Sequence, residues 1–295
     1  MRIVIALGGN ALLPKGAKGN ASEQLRAAKN AIARLEHLLR SNQVVLTHGN
    51  GPQVGNLLIQ QNSTREVAPM PLDVLDAMTQ GEIGYFIATA ISLTGLHSAT
   101  LITRVVVDPS DPAFRAPSKP IGPFYDRKPK TGNRKLYHMD AGRGYRLYVA
   151  SPEPLKIREH DAIDALLAKG FVVIAAGGGG IPIEDNGKGL EAVIDKDRAT
   201  TLLASQINAD LLVFVTSVDS VFMDFGKKNQ KRIGRMSIDE AEKLLAMGYF
   251  AEGSMKPKIE AALRFLRKGG KKVIICSIDN IPDALKGKAG TTLCR

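Results

Sequence analysis

The sequence has no tryptophan, and aromatic residues make up only 5% of its 295 positions. That scarcity argues against the stacking platforms on which RNA and single-stranded nucleic acids are read. Cysteine is nearly as scarce. Cys276 and Cys294 are the only two, and they show neither metal-ligand spacing nor a disulfide framework, so a reducing cytoplasm is the expected compartment. No apolar run approaches the length needed to span a bilayer, so no membrane partner is expected. The run at residues 1–9 is too short for a signal peptide and reads as a first buried strand. Also missing are a G-x-x-x-x-G-K-[ST] loop, a G-x-S-x-G elbow, an H-E-x-x-H pair and the protein-kinase signature set. These absences set aside P-loop, serine-elbow and zincin chemistry.

Basic residues are in excess. Lys and Arg number 40 against 29 for Asp and Glu, a formal net charge of +11. Such a field favours anionic partners. The charges are dispersed, however: Arg127, Lys128 and Lys130, then Lys227 and Lys228, Arg267 and Lys268, Lys271 and Lys272 lie far apart. With no nucleic-acid-binding motif, the pattern suggests a solvated surface and an anion-binding cleft rather than a nucleic-acid partner.

Short β-branched runs at 3–7, 44–47, 100–107, 171–176, 211–215 and 272–276 read as strands buried on both faces. Helix-like stretches at 22–40, 53–61, 71–93, 158–169, 197–207, 237–247 and 257–267 alternate with them. The alternation predicts βαβ units, hence an open, mostly parallel sheet with helices on both faces. Residues 108–151 break the rhythm and read as a small excursion or lid on the sheet edge. Glu184-Asp185-Asn186-Gly187-Lys188 reads as a hairpin turn.

Five segments carry the chemistry. Leu7-Gly8-Gly9-Asn10 follows the first strand, where glycine lets backbone N–H groups approach an anion. Thr47-His48-Gly49-Asn50-Gly51-Pro52 lies between a strand and a helix, the setting for anion binding at a helix N-terminus, with Pro52 suited to the first turn. His48 there reads as structural rather than as a base. Gly177, Gly178, Gly179 and Gly180 follow another strand. Four glycines in a row have much conformational entropy to lose, which suggests a ligand against the backbone, the alternative being a cramped chain crossing. Asp195-Lys196-Asp197 enters a helix, where either carboxylate could cap it and orient the lysine. Gly253-Ser254-Met255-Lys256-Pro257-Lys258 starts another, with Ser254 as the expected cap. Lys258 there opposes the helix dipole unless an anion binds. A vocabulary of glycine backbone, lysine and aspartate suits phosphoryl transfer, which relies on positioning and charge neutralisation.

Together these segments resemble the carbamate kinases of the amino-acid-kinase family. The matching stretches are 5–12, 47–55, 71–85, 111–125, 177–182, 191–197 and 253–258, in the family order along nearly the whole chain. Lys119 with Pro120-Ile121-Gly122-Pro123-Phe124-Tyr125 is similar to the protruding subdomain of that family. The resemblance implies a three-layer αβα sandwich with a small protruding subdomain. It places an acceptor-binding lobe over 1–207, including the excursion, and a nucleotide-binding lobe over 208–295. It implies a homodimer that transfers phosphate reversibly between ATP, with Mg²⁺, and carbamate.

On the same basis Lys119, Lys196 and Lys258 would neutralise the transferring phosphate and Asp195 would hold the lysines. Lys119 would stand in for the lysine that many relatives carry at the position of Ala6. Gly8, Gly9, Asn10, Gly49, Asn50 and Gly51 would donate hydrogen bonds around carbamate and the γ-phosphate, with Gly177 and Gly178 beside them. Thr216, Val218 and Met255 would line the nucleotide site with Lys258. No residue is assigned to a protein-bound metal. Three departures stand out: Lys256 where the family has Gly, Ser217 where it has Asp, and Leu147 after a single Arg146 where arginines are paired. The excursion is also shorter than in the family. Two further readings remain open at this point: a kinase of the same fold acting on another small anion, and a non-catalytic nucleotide or oxyanion binder.

Overall fold

The computed structural model describes residues 1–13, 17, 19–64, 66–129, 136–140, 142–251 and 255–295, with the backbone alone at Asn10 and Ala11. The N-terminal part runs β1 (Arg2–Leu7), α1 (Gly9–Leu12), α2 (Ala21–Ser41), β2 (Gln43–His48), α3 (Gly51–Gln61) and α4 (Leu72–Ser92). Next come β3 (Ser98–Thr100), β4 (Arg104–Val106), β5 (Lys119–Tyr125), β6 (Tyr137–Met139), β7 (Tyr145–Val149) and β8 (Lys156–Ile157). Then follow α5 (His160–Ala168), β9 (Val172–Ile174), β10 (Ile181–Ile183), α6 (Lys196–Gln206), β11 (Leu211–Val215), β12 (Val221–Met223) and β13 (Lys231–Ile233). The chain closes with β14 (Arg235–Ser237), α7 (Ile238–Ala246), α8 (Met255–Arg267), β15 (Lys272–Cys276), α9 (Ile281–Leu285) and β16 (Thr291–Cys294).

Eight strands form the main sheet in the order β14-β16-β15-β11-β1-β2-β9-β3. All pairs are parallel except β15 with β16. The sheet is continuous from strands of the first 207 residues into those of the remainder, across the parallel β1–β11 pair. Side chains alternate between its faces, as period-two geometry demands. Val4, Ala6, Val45, Val173, Leu212 and Phe214 pack on one side with Leu167 of α5, Leu203 of α6 and Leu266 of α8. Ile3, Ile5, Leu7, Leu46, Ile174 and Val213 pack on the other with Leu35 of α2, Ile87 of α4 and Ala284 of α9. The result is a three-layer αβα sandwich. Local signals agree: α2 starts at an Asn20–Glu23 capping box and α7 at a Ser237–Glu240 box.

One expected strand is two. Residues 100–107 read as a continuous run, yet β3 lies in the main sheet while β4 pairs with β10 and β8 in a separate three-stranded sheet. The break is at Thr103, fully buried, whose N–H and C=O bond the Gln80 side chain at 2.7 and 3.2 Å while its hydroxyl accepts from Ala176 N–H at 2.9 Å. The Thr103 N–H thus takes a side-chain partner in place of a ladder one, while its C=O also accepts Ile181 N–H at 2.9 Å and leads the chain into the second sheet. At 184–188 the turn is present. Glu184 N–H donates to Lys188 O at 2.8 Å, and Gly187 alone takes the left-handed conformation, at φ +93°.

The excursion carries its own antiparallel sheet, β5-β7-β6, seated on α3 and its surroundings by Val54, Leu58, Leu72, Ile121, Leu147 and Val193. Arg146 bonds Gly122 O and Asp140 and stacks on Phe124. Leu147, the departure from a paired arginine, belongs to that apolar seat.

Candidate active site

The carboxyl ends of β1, β2, β9, β11 and β15 converge where the strand order turns outward on either side of β1. Ligands of open α/β sheets bind at such a point. At the end of β1, Gly8 is required by close approach: a Cβ there would stand 2.8 Å from Val215 O at the end of β11. At the end of β2, Asn50 occupies the N-cap of α3 without a side-chain cap bond, and Pro52 falls in the first turn. The first N–H groups of α3 therefore face the site.

Three cavities meet these strand ends. One of about 160 Å³ is lined by Gly49, Asn50, Gly51, Lys119, Gly178 and Lys196. A second, of about 430 Å³, is lined by Gly8, Gly9, Thr216, Ser217, Lys258 and Ser277. A third, of about 170 Å³, shares Thr216, Ser217 and Lys258 with it and adds Val218, Phe222, Phe225 and Met255. A hollow of about 560 Å³ between α7 and α8 holds none of the residues expected to bind substrate or nucleotide.

Two adjacent carboxylates organise three lysines. Asp195 caps α6 by accepting from the N–H groups of Asp197 and Arg198, and its other oxygen binds Lys119 Nζ at 2.7 Å. Asp197 binds Lys196 Nζ at 2.5 Å through one oxygen and Lys258 Nζ at 2.8 Å through the other. Holding Lys196 and Lys258 is thus the work of Asp197; Asp195 holds Lys119 alone. That corrects the expectation that Asp195 serves all three, and follows from the capping bonds that occupy its Oδ1. Burial works to raise the Asp197 carboxyl, but Lys196 and Lys258 outweigh it and keep it well below the ordinary carboxylate range. At Asp195 burial and the charge of Asp197 also raise, Lys119 and the hydrogen bonds lower, and the balance is downward. Both carboxylates are ionised at neutral pH and each lysine Nζ spends one bond on them, out of the three N–H donors an ammonium carries.

Of the two readings of the glycine run, the structure shows the cramped chain crossing rather than the favoured ligand contact. A Cβ at Gly177 would overlap His48, at Gly178 the Asn50 amide, at Gly179 Ile194 O and at Gly180 Val105. Three of the four, Gly178 to Gly180, also have positive φ. The protein's own chain demands these glycines, so a ligand is not needed to account for them. Gly178 nonetheless lines the smaller cavity, whereas Gly177 faces His48 and Gln80. His48 is buried and bonded to Gly49 O, and burial, with a contribution from Lys196, lowers its pKa to about 4. A neutral, enclosed imidazole fits the structural role expected of it. The side chain of Asn10 and residues Gly253 and Ser254 lie outside the described residues.

The amino acid kinase family model matches residues 1–277. A carbamate kinase of Thermococcus kodakarensis is 44% identical, covering 100% of this chain and 99% of that protein. The chain belongs to the amino acid kinase family, among the carbamate kinases. Carbamate kinase 2 of Staphylococcus aureus is 47% identical, with 98% of each chain covered. The solved structure of Giardia lamblia carbamate kinase bound to AMP-PNP superposes with a TM-score of 0.91 at 37% identity, covering 99% of this chain and 98% of that one. Against this family background Ser217 lines both larger cavities, while Lys256, half-buried in the first turn of α8, is not among the residues lining them.

Sequence reasoning missed a buried polar group under the smaller cavity. Asp76, Thr79 and Gln80 sit among Leu72, Leu75, Ile83 and Ile87 on the core face of α4. Polar residues at core positions of a helical period were a readable signal, because a buried polar group needs a partner. The Asp76 and Thr79 side chains hold Asn50, and Gln80 holds Thr103.

Proposed function

We propose that this chain transfers a phosphoryl group reversibly between ATP and carbamate, giving ADP and carbamoyl phosphate. The observation that carries the reading is the lysine–aspartate chain of Lys119, Asp195, Asp197, Lys196 and Lys258, which links the small cavity to the larger ones. Three ammonium groups against two carboxylates leave one net positive charge at the junction of the cavities. The barrier to this reaction is electrostatic, since two anions must meet in line. A cation about 4 Å from a phosphate charge is worth about 4 kcal/mol at an effective dielectric of 20.

In this reading the acceptor lies in the 160 Å³ cavity, between Lys119, Lys196 and the N-terminal amides of α3. The triphosphate lies along Gly8, Gly9 and Lys258, and the nucleoside beside Val218, Phe222 and Met255. Residues 1–207 would then supply most of the acceptor site and residues 208–295 most of the nucleotide site. A carbamate oxygen attacks the γ-phosphorus, and the bond from phosphorus to the bridging oxygen of ADP breaks. Carbamate is already an anion, so no general base is required, in keeping with the neutral His48. Mg²⁺ accompanies the nucleotide. Asp195 and Asp197 are taken up in holding Lys119, Lys196, Lys258 and the start of α6, and are assigned that role rather than metal ligation. The ion belongs to the substrate, on phosphate and water oxygens.

An exposed apolar stripe on α4, Val74, Met78 and Tyr85, follows helical spacing and supports assembly into a homodimer. No helix among the described residues is long and apolar enough to cross a membrane, and a cytoplasmic location is part of the proposal. The test is a coupled assay of ATP formation from ADP and carbamoyl phosphate, with acetyl phosphate as control. Rapid turnover of carbamoyl phosphate is expected; none, in a folded protein that binds nucleotide, would refute the reading.

A further inference from the structure

Asn50 lies on the wall of the acceptor cavity with a side chain whose orientation the fold fixes. It is buried, and its Nδ2 donates to Asp76 Oδ1 and to Thr79 Oγ1, the latter at 2.9 Å. The Thr79 hydroxyl has one proton, which is donated to Asp76 O at 2.9 Å. Toward Asn50 that oxygen can only accept. Thr79 therefore favours this orientation of the amide: an Asn50 carbonyl in that place would face a hydroxyl whose proton is already engaged by Asp76 O. Both amide N–H groups are occupied, and no described residue donates to Asn50 Oδ1. Gly178 closes behind the amide, where any Cβ would overlap it. The hydrogen bond that the resemblance implies Asn50 donates would then come from its backbone N–H. Its side chain can only accept.

We propose that Asn50 Oδ1 is the specificity element of the acceptor site, accepting a hydrogen bond from an N–H of the acceptor substrate. Asp76 and Thr79 act through Asn50 as positioning residues. This inference rests on the proposed function and deepens it. Lys119 and Lys196 on the same wall offer only donors, which suit the oxygens of any small carboxylate. They do not separate carbamate from acetate, in which a methyl replaces the amino group. A lone carbonyl oxygen does: it pairs with the amino N–H and is left unpaired by the methyl. Asp76 serves in either protonation state. Burial pushes its carboxyl up to about 7, against the Asn50 bond and aided by the charge of Asp73, while its Oδ2 has no partner. A proton on Oδ2 still leaves Oδ1 free to accept from Asn50.

The experiment compares carbamoyl phosphate with acetyl phosphate as phosphoryl donors to ADP, measuring kcat and KM for the native chain, Asn50→Ala and Thr79→Val. An unpaired site group costs about 1–3 kcal/mol, so the preference for carbamoyl phosphate should fall about tenfold to a hundredfold in Asn50→Ala. Thr79→Val keeps the shape, releases the amide to flip, and should narrow the preference in the same direction. It also serves if Asn50→Ala does not fold. Equal losses on both donors in Asn50→Ala, or an unchanged preference in folded Thr79→Val, would overturn the inference while leaving the kinase reading intact. No turnover of carbamoyl phosphate by the native chain would refute the kinase reading itself, and this inference with it.

Discussion

Asp197→Asn removes the charge on which two lysines converge. Asp197 is 5% exposed, and the Lys196 and Lys258 side chains are each 17% exposed. A neutral amide would offer one oxygen to the pair and turn its N–H groups toward the other ammonium, a donor facing a donor. Breaking a buried ion pair by removing one partner costs about 3–5 kcal/mol, because the remaining charge is stranded. Here two are stranded. The folded-state pKa of Asp197 is depressed, so its contribution is present above the ordinary carboxylate pKa and is lost only in strong acid. The deficit should therefore be constant from pH 5 to 8, within that range of about 3–5 kcal/mol. Urea denaturation followed by far-UV circular dichroism reads it, a suitable probe for a chain without tryptophan. A bound triphosphate supplies the missing negative charge, so AMP-PNP should stabilise the variant more than the native protein. A deficit under about 1 kcal/mol, with equal stabilisation of the two proteins by nucleotide, would refute the claim that Asp197 is the anchor of a cationic site.

Gly178→Ala should cost at least about 1–2 kcal/mol from its left-handed backbone alone, at φ +69°, and should raise KM for carbamoyl phosphate by displacing Asn50, both measurable on one preparation. Asp76→Asn removes a carboxyl whose folded-state pKa is raised from 3.8 to about 7. The native contribution is full below pH 3.8 and lost as pH rises through 7, so the variant should gain on the native protein between pH 5 and 8, by at most about 3 kcal/mol, in denaturation at the two pH values. His48→Gln acts on the acid side. The His48 pKa is lowered from 6.5 to about 4, so the native protein should lose stability as pH falls through that window and the variant should lose less.

The sequence was most informative where its signals were local and repetitive. Strands 211–215 and 272–276 are observed with the bounds expected, because continuous β-branched runs leave little choice of register or face. The two- and three-residue strands β8, β10 and β12 to β14 were not visible, since so short a segment shows no period. The split of 100–107 depends on Gln80, some twenty residues earlier on α4, a contact that no local pattern contains. The same holds at the site. Lys119 and Asp195 meet across 76 positions and Lys258 and Asp197 across 61, so the division of the lysines between two aspartates becomes readable only once the sheet is assembled. The glycine run was noticed for its composition and misread in its cause, because the crowding at Gly177 to Gly180 comes from His48, Asn50, Ile194 and Val105 of other segments.

Removing one of the three cations tests the electrostatic reading most directly. In Lys196→Ala, whose native Nζ lies 2.5 Å from Asp197, the rate of ATP formation from carbamoyl phosphate and ADP at saturation should fall by a hundredfold or more, to judge by the order of loss on deleting one preorganised donor. A folded variant that keeps a near-native rate would contradict the claim that these lysines bring two anions together.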